Sequence, residues 1–140
     1  MDDERAFSGI KVLDFTQGIA GPHSPMLLAQ HGADVIKVDP PAGDWGRSMG
    51  ALYGDHCAHS IAFNRGKRSI SLDMKTPEAL EITKKMAAEC DVVVEAFRPG
   101  VMGKFGLSYD DVKKVNPHVI YLSVTGFGQE GPNNGLPVTD

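Results

Sequence analysis

Lys11-Val-Leu-Asp-Phe15 and Asp34-Val-Ile-Lys-Val38 are two short apolar-rich strands, and between them lies a helix-forming segment, Met26-Leu-Leu-Ala29. That strand–helix–strand order decides the fold. His31-Gly32 is a helix stop. Pro40-Pro41 ends the second strand, because proline has no N–H for a ladder. A crossover through a helix makes the two strands parallel.

The rest of the chain continues the pattern. Pro40 to Ser60 is expected to be a loop, with Gly43, Gly46, Gly50, Gly54 and the only tryptophan, Trp45. A long loop in a compact domain points to function or disorder. Ser69-Ile-Ser-Leu72 is the next strand. Thr76 is an N-cap with Pro77 at the first helical position. Ala79, Ile82, Met86 and Cys90 then recur at helical spacing, so an amphipathic helix is expected over 77–89. Val92-Val-Val-Glu95 has the composition of a buried strand. Ser108-Tyr-Asp-Asp111 resembles a capping box opening a helix to about Val115. Asn116-Pro117 ends it, and Val119 to Val124 is the last strand. The expected architecture is α/β, a Rossmann-like open, mostly parallel sheet with flanking helices, covering 1–140 as one domain. Ligands of such sheets bind at the carboxyl ends of the strands.

Composition narrows the function classes. The chain is 41% hydrophobic and 23% charged, with a formal charge of -4. That balance counts against a nucleic-acid partner, whose binding domains present a basic face. No apolar run approaches the length of a membrane span. Met1-Asp-Asp-Glu-Arg5 has no apolar core of a signal peptide. Cys57 and Cys90 lack CxxC spacing, so neither a metal site nor a disulfide framework is expected, and a cytoplasmic chain with reduced thiols is the default. The five histidines show no metal-ligand spacing and are expected at the surface.

Three motifs invite a ligand reading. Gly126-Phe-Gly-Gln-Glu-Gly131 is a literal GxGxxG after a strand. Pro132-Asn-Asn-Gly135 follows it as a turn where a dinucleotide site needs a helix, so these glycines are expected to shape a loop instead. Gln17-Gly-Ile-Ala-Gly-Pro22 occupies the position of a phosphate loop and is equally a structural turn. Asn64-Arg-Gly-Lys-Arg68 is the densest basic cluster, either a solvated hairpin end or a phosphate contact. Lys75, Arg98 and Lys104 add cations after the third and fourth strands. Cations at strand ends of an acidic chain suggest an anionic ligand. Asp14 is expected in a structural contact, and Glu95 either faces the ligand or caps a loop.

Taken in order, Gly9-Ile-Lys-Val-Leu-Asp-Phe-Thr16, Ala20-Gly-Pro22, Gly32 to Val38, Asn64-Arg-Gly-Lys-Arg-Ser-Ile70, Leu72-Asp-Met-Lys75, Asp91 to Glu95, Phe97-Arg-Pro-Gly100, Asn116-Pro117 and Gly126 to Pro132 form a specific set. The chain closely resembles the N-terminal part of the family III CoA-transferases (the CaiB/BaiF family), which includes formyl-CoA transferase and α-methylacyl-CoA racemase. The resemblance implies a CoA-binding domain and, in full-length members, an interlocked homodimer acting on acyl-CoA and carboxylic acid substrates. It also implies coenzyme A contacts at Ile19, Ala20, Pro40, Leu72, Asp73, Met74, Lys75, Ala96, Phe97, Arg98, Lys104, Pro137 and Asp140. Lys75, Arg98 and Lys104 would meet phosphates, and Leu72, Met74 and Phe97 apolar parts. Pro40, Ala96 and Ile19 stand where formyl-CoA transferase has arginine, asparagine and glutamine, which counts against formyl or oxalyl specificity.

The family's transferases use an aspartate nucleophile that attacks the acyl-CoA thioester, giving an acyl anhydride and then an enzyme–CoA thioester. The resemblance implies that this aspartate lies beyond Asp140, so no catalytic residue is expected within these 140 residues. Asp140 matches the acidic residue of a Pro-x-x-Asp stretch. The racemase branch has a histidine just before it, and Thr139 here favours the transferase branch. Two alternatives stay open: a racemase fragment acting by proton transfer at the α-carbon, and a non-catalytic nucleotide-binding or oligomerisation module.

Overall fold

A computed structural model describes residues 5–138. Five parallel strands form its sheet: β1 (Lys11–Asp14), β2 (Asp34–Asp39), β5 (Arg68–Ser71), β6 (Val92–Glu95) and β7 (Ile120–Ser123). Their order across the sheet is β5-β2-β1-β6-β7. Register runs Leu13 against Ile36 on one side and Leu13 against Val93 on the other. The chain therefore winds outward from β1 in one direction, then returns and winds the other way from β6. The order reverses between β1 and β6, and ligands of open α/β sheets bind outside such a reversal. A separate hairpin pairs β3 (Leu52–Tyr53) with β4 (His56–Cys57).

Period-two alternation sends neighbouring side chains to opposite faces. Leu13, Val38 and Val93 share one core cluster with Ala87, Leu107 and Val112. Val12, Val35 and Val94 share the other with Ala29 and Ala33. The first face is covered by α3 (Pro77–Glu89) and α5 (Tyr109–Val115), the second by α1 (Ala20–Gln30). Val93 and Val94 are both fully buried, which is why β6 is an unbroken apolar run. Each such side chain removed from water stabilises the fold by about 1.5–3 kcal/mol.

The capping expectations hold. The Ala79 N–H donates to Thr76 Oγ1, with Pro77 in the first turn of α3. The Ser108 hydroxyl and the Asp111 carboxylate cap one another's backbone at the start of α5. Gly32 ends α1's turn at φ +106.

Three places differ from expectation. Helix α1 starts at Ala20, inside the segment whose glycines and proline suggest a turn, because Pro22 sits in the first turn where an N–H has no helical partner. The expected loop over 40–60 carries a 3-10 turn (Trp45–Ser48), the β3–β4 hairpin and the start of α2 (Ala58–Phe63). Side-chain capping by Asp44 and Ser60 organises that segment. A single turn, α4 (Val101–Lys104), follows Gly100, whose φ of 84 launches it. Among the described residues, no helix is long and apolar enough to cross a membrane.

Candidate functional site

The carboxyl ends of β1 and β2 are tied together by buried charges. Asp14 ends β1 with no exposed surface. Its Oδ1 accepts from the Thr16 N–H at 2.8 Å and from Thr16 Oγ1 at 2.5 Å. Its Oδ2 accepts from Lys67 Nζ at 2.8 Å, and the same ammonium donates to the Pro22 carbonyl at 2.9 Å. The Lys67 side chain is 2% exposed. Burial pushes its pKa below that of a free lysine, and the Asp14 carboxylate opposes that shift.

For Lys67 and Arg68 the phosphate reading of the basic cluster is thereby corrected. Lys67 turns inward as the counter-ion of Asp14, and Arg68 pairs with Asp34 at the opposite end of the sheet. The structural contact expected of Asp14 is present.

A second buried cation, Lys37 of β2, donates to Asp44 Oδ2 and to Asn64 Oδ1. It also lies 3.7 Å from Asp39 Oδ1, an oxygen with no hydrogen-bond partner, while Arg47 donates to Asp39 Oδ2 at 3.0 Å. Asp44 completes the arrangement with Oδ1. That oxygen accepts from the Gly18 N–H at 2.9 Å and the Gly46 N–H at 2.8 Å. The loops after β1 and β2 are therefore clamped to each other through one carboxylate. The clamp sets Trp45 against Gly18, where an added Cβ would come 2.2 Å from indole Cζ2.

At the reversal itself, between the ends of β1 and β6, a cleft of ≈ 550 Å³ opens. Its size falls within the range of small-molecule sites, about 300–1,000 Å³. Phe15, Gln17, Ala20 and Gly21 line it from the β1 side, with Trp45. Ala96 to Pro99 line it after β6, Val124 to Gly126 after β7, and Asn134 with 136–138 close it. Among the described lining residues none carries a carboxylate, and Arg98 alone is cationic. A side chain at Gly21 would be crowded, because a Cβ there would meet Thr16 Cβ at 2.7 Å and Ala96 Cβ at 2.8 Å. This close approach brings the start of α1 between the ends of β1 and β6.

Glu95 caps a loop and does not line the cleft. Its Oε2 accepts from the Phe97 N–H at 2.8 Å, which fixes the turn at Ala96. Burial pushes its carboxyl pKa up. A smaller hollow of ≈ 200 Å³ lies among Lys11, Asp34, Arg68 and Cys90. It is at the amino ends of the strands, away from the reversal.

Of the residues implicated from sequence, Ala20, Ala96, Phe97, Arg98 and Pro137 line the cleft. Leu72 and Met74 lie outside it, packed with Phe97 against the first core cluster. Asp73 turns its carboxylate to the Lys75 N–H at 3.0 Å. Lys75 and Lys104 are exposed, whereas Ile19 and Pro40 are half-buried outside the lining. Asp140 and Thr139 lie outside the described residues. Trp45, Val124 and Leu136 line the cleft although no motif singled them out as contacts. A lone tryptophan in a glycine-rich loop after a strand was the available signal for the first. All five histidines are exposed. Among the described residues no helix begins after Gly126 to Gly131, in keeping with a shaped loop. At Gly126 itself, Val138 approaches so closely that a Cβ would meet Cγ2 at 2.1 Å.

A family model described as CoA-transferase family III matches residues 7–140. Human succinyl-CoA:glutarate CoA-transferase is 42% identical over 134 residues, which are 94% of this chain and 31% of that protein. A solved structure of the Rv3272 protein of Mycobacterium tuberculosis is 40% identical with a TM-score of 0.90, covering 97% of this chain and 38% of that one. A CaiB/BaiF family protein from Brucella suis is 41% identical with a TM-score of 0.89, covering 94% of this chain and 36% of that one. The chain thus spans between 31% and 38% of the length of these relatives.

Proposed function

The chain belongs to CoA-transferase family III, and we propose that it supplies the CoA-binding N-terminal part of an acyl-CoA:carboxylate CoA-transferase. The observation that carries the reading is the cleft at the sheet's reversal. It is walled mostly by apolar side chains, free of carboxylates among the described lining residues, and holds one guanidinium, in a chain of net charge -4. An anionic thioester carrier suits that combination. Arginine suits phosphate oxygens through paired donors, and the apolar walls suit the pantetheine and acyl parts.

Lys75 and Lys104, with Arg98, are the proposed phosphate partners. Leu72, Met74 and Phe97 are the proposed apolar contacts. Ile19, Ala20, Pro40, Asp73, Ala96, Pro137 and Asp140 complete the proposed contact set. The nucleophilic aspartate lies past Asp140 in this reading. Its carboxylate attacks the thioester carbonyl and releases CoA thiolate, leaving an acyl anhydride. The thiolate then attacks the aspartyl carbonyl of that anhydride and releases the first carboxylate. The acceptor acid regenerates the aspartate by the same two steps reversed. We propose no metal and no nucleic-acid or membrane partner. The whole protein is proposed to act as a cytoplasmic homodimer, and the exposed Ile120 and Leu122 of the edge strand β7 suit an apolar covering.

Calorimetric titration of the chain with CoA, 3′-dephospho-CoA and NAD tests the reading. Binding is expected to be strongest for CoA and weaker without the 3′-phosphate. Equal affinity for all three would overturn it in favour of a general nucleotide module.

A further inference from the structure

Three aromatic side chains line the cleft, and they are not alike. Phe15 is buried and Phe97 half-buried, while Trp45 is 54% exposed. This exposed indole has a packing partner on one face. Gly18, at φ +82, leaves room for the ring to lie on the backbone, and Asp44 Oδ1 accepts from both the Gly18 and the Gly46 N–H. Asp44 is itself held by the buried ammonium of Lys37. A large apolar ring thus packs on the Gly18 backbone and lines the cleft.

The charge distribution says which part of the ligand lies there. A CoA thioester has one polyanionic end and one neutral end. Lys75 and Lys104 are outside the lining, and Arg98 is the sole ionised side chain among the described residues within it. Phe97 belongs both to the cleft and to the cluster that holds Leu72 and Met74. An extended thioester running past Phe97 therefore places its phosphates among the outer cations and its pantetheine–acyl end in the cleft. We infer that Trp45 is the wall on which the acyl group lies, and that the substrate carries apolar surface beyond the thioester carbon. This specificity role rests on the CoA reading above.

The chain has one tryptophan, so its emission reports this contact alone. CoA, acetyl-CoA, butyryl-CoA and hexanoyl-CoA are titrated into the full chain, followed by calorimetry and by tryptophan emission. Affinity is expected to rise roughly two- to fourfold per buried methylene, with an emission change that grows along the series. Trp45→Ala is expected to flatten the series, weakening hexanoyl-CoA roughly tenfold more than CoA. Trp45→Phe, which keeps a ring on Gly18, should retain most of the slope and so separates the contact from loss of fold. A flat wild-type series, unchanged emission on acyl-CoA binding, or equal weakening of CoA and hexanoyl-CoA by Trp45→Ala would each overturn the inference while leaving CoA binding intact. Absence of CoA binding would remove both.

Discussion

The β1–β2 side and the β6–β7 side of the sheet both carry cations at their carboxyl ends, and they use them differently. On the first side Lys37 and Lys67 are buried and bonded to Asp44 and Asp14. On the second, Arg98 stands exposed at the cleft, and no ion pair among the described residues involves it. A buried cation with a matched carboxylate fixes loops, whereas an exposed one is available to a ligand. Counting basic residues near strand ends therefore overstates a binding site unless each is checked for an acidic partner.

The largest expected effect breaks the structural side. Lys67→Met leaves the Asp14 carboxylate buried without its counter-ion, and removing one partner of such a pair costs about 3–5 kcal/mol. Urea denaturation measures it, and a loss under about 1 kcal/mol would contradict the assignment. Next comes the junction of the two sides. Gly21→Ala forces a Cβ against Thr16 and Ala96, with an overpacking cost of about 1–3 kcal/mol. Alanine's advantage in a helix offsets roughly 1 kcal/mol of that. A net loss is expected, and an unchanged or higher midpoint would show that the junction has slack.

The smallest effect concerns the cleft side. Burial raises the Glu95 pKa in the folded chain, so folding favours its protonated form. The associated stability is complete below the ordinary glutamate pKa of roughly 4.3. It is lost as pH rises through the elevated folded value. Glu95→Gln keeps an acceptor for the Phe97 N–H and is therefore expected to raise the urea midpoint at neutral pH. The gain should fade towards pH of about 4. A gain independent of pH would mean that charge burial is not its source.

Much of the framework was legible in the sequence. The apolar β1, β2 and β6 runs, the Thr76 cap and the Ser108–Asp111 box depend on neighbours within a few residues. The strand order β5-β2-β1-β6-β7 and the cleft at its reversal were not legible, because a right-handed crossover leaves open which side each new strand joins. The clamp was not legible, because Asp44 meets Gly18 26 residues away and Lys67 meets Asp14 53 residues away. Nothing local distinguishes a lysine that will be buried in a pair from one that stays in water. Arg65 and Lys67 are two residues apart in the same basic run, yet one is exposed and the other's ammonium is enclosed. Part of the candidate site was legible for the complementary reason. Ala96, Phe97 and Arg98 sit directly after β6 and Ala20 opens the helix that follows β1, whereas Trp45 and Leu136 reach the cleft through folded loops.

The division between structural and ligand-facing cations is tested most directly by titrating CoA into wild type and Arg98→Ala, with a urea unfolding curve for each. The account predicts roughly tenfold weaker CoA binding, in keeping with loss of a charge-assisted hydrogen bond, and an unchanged unfolding midpoint. Equal CoA affinity, or a midpoint that falls with the affinity, would contradict it.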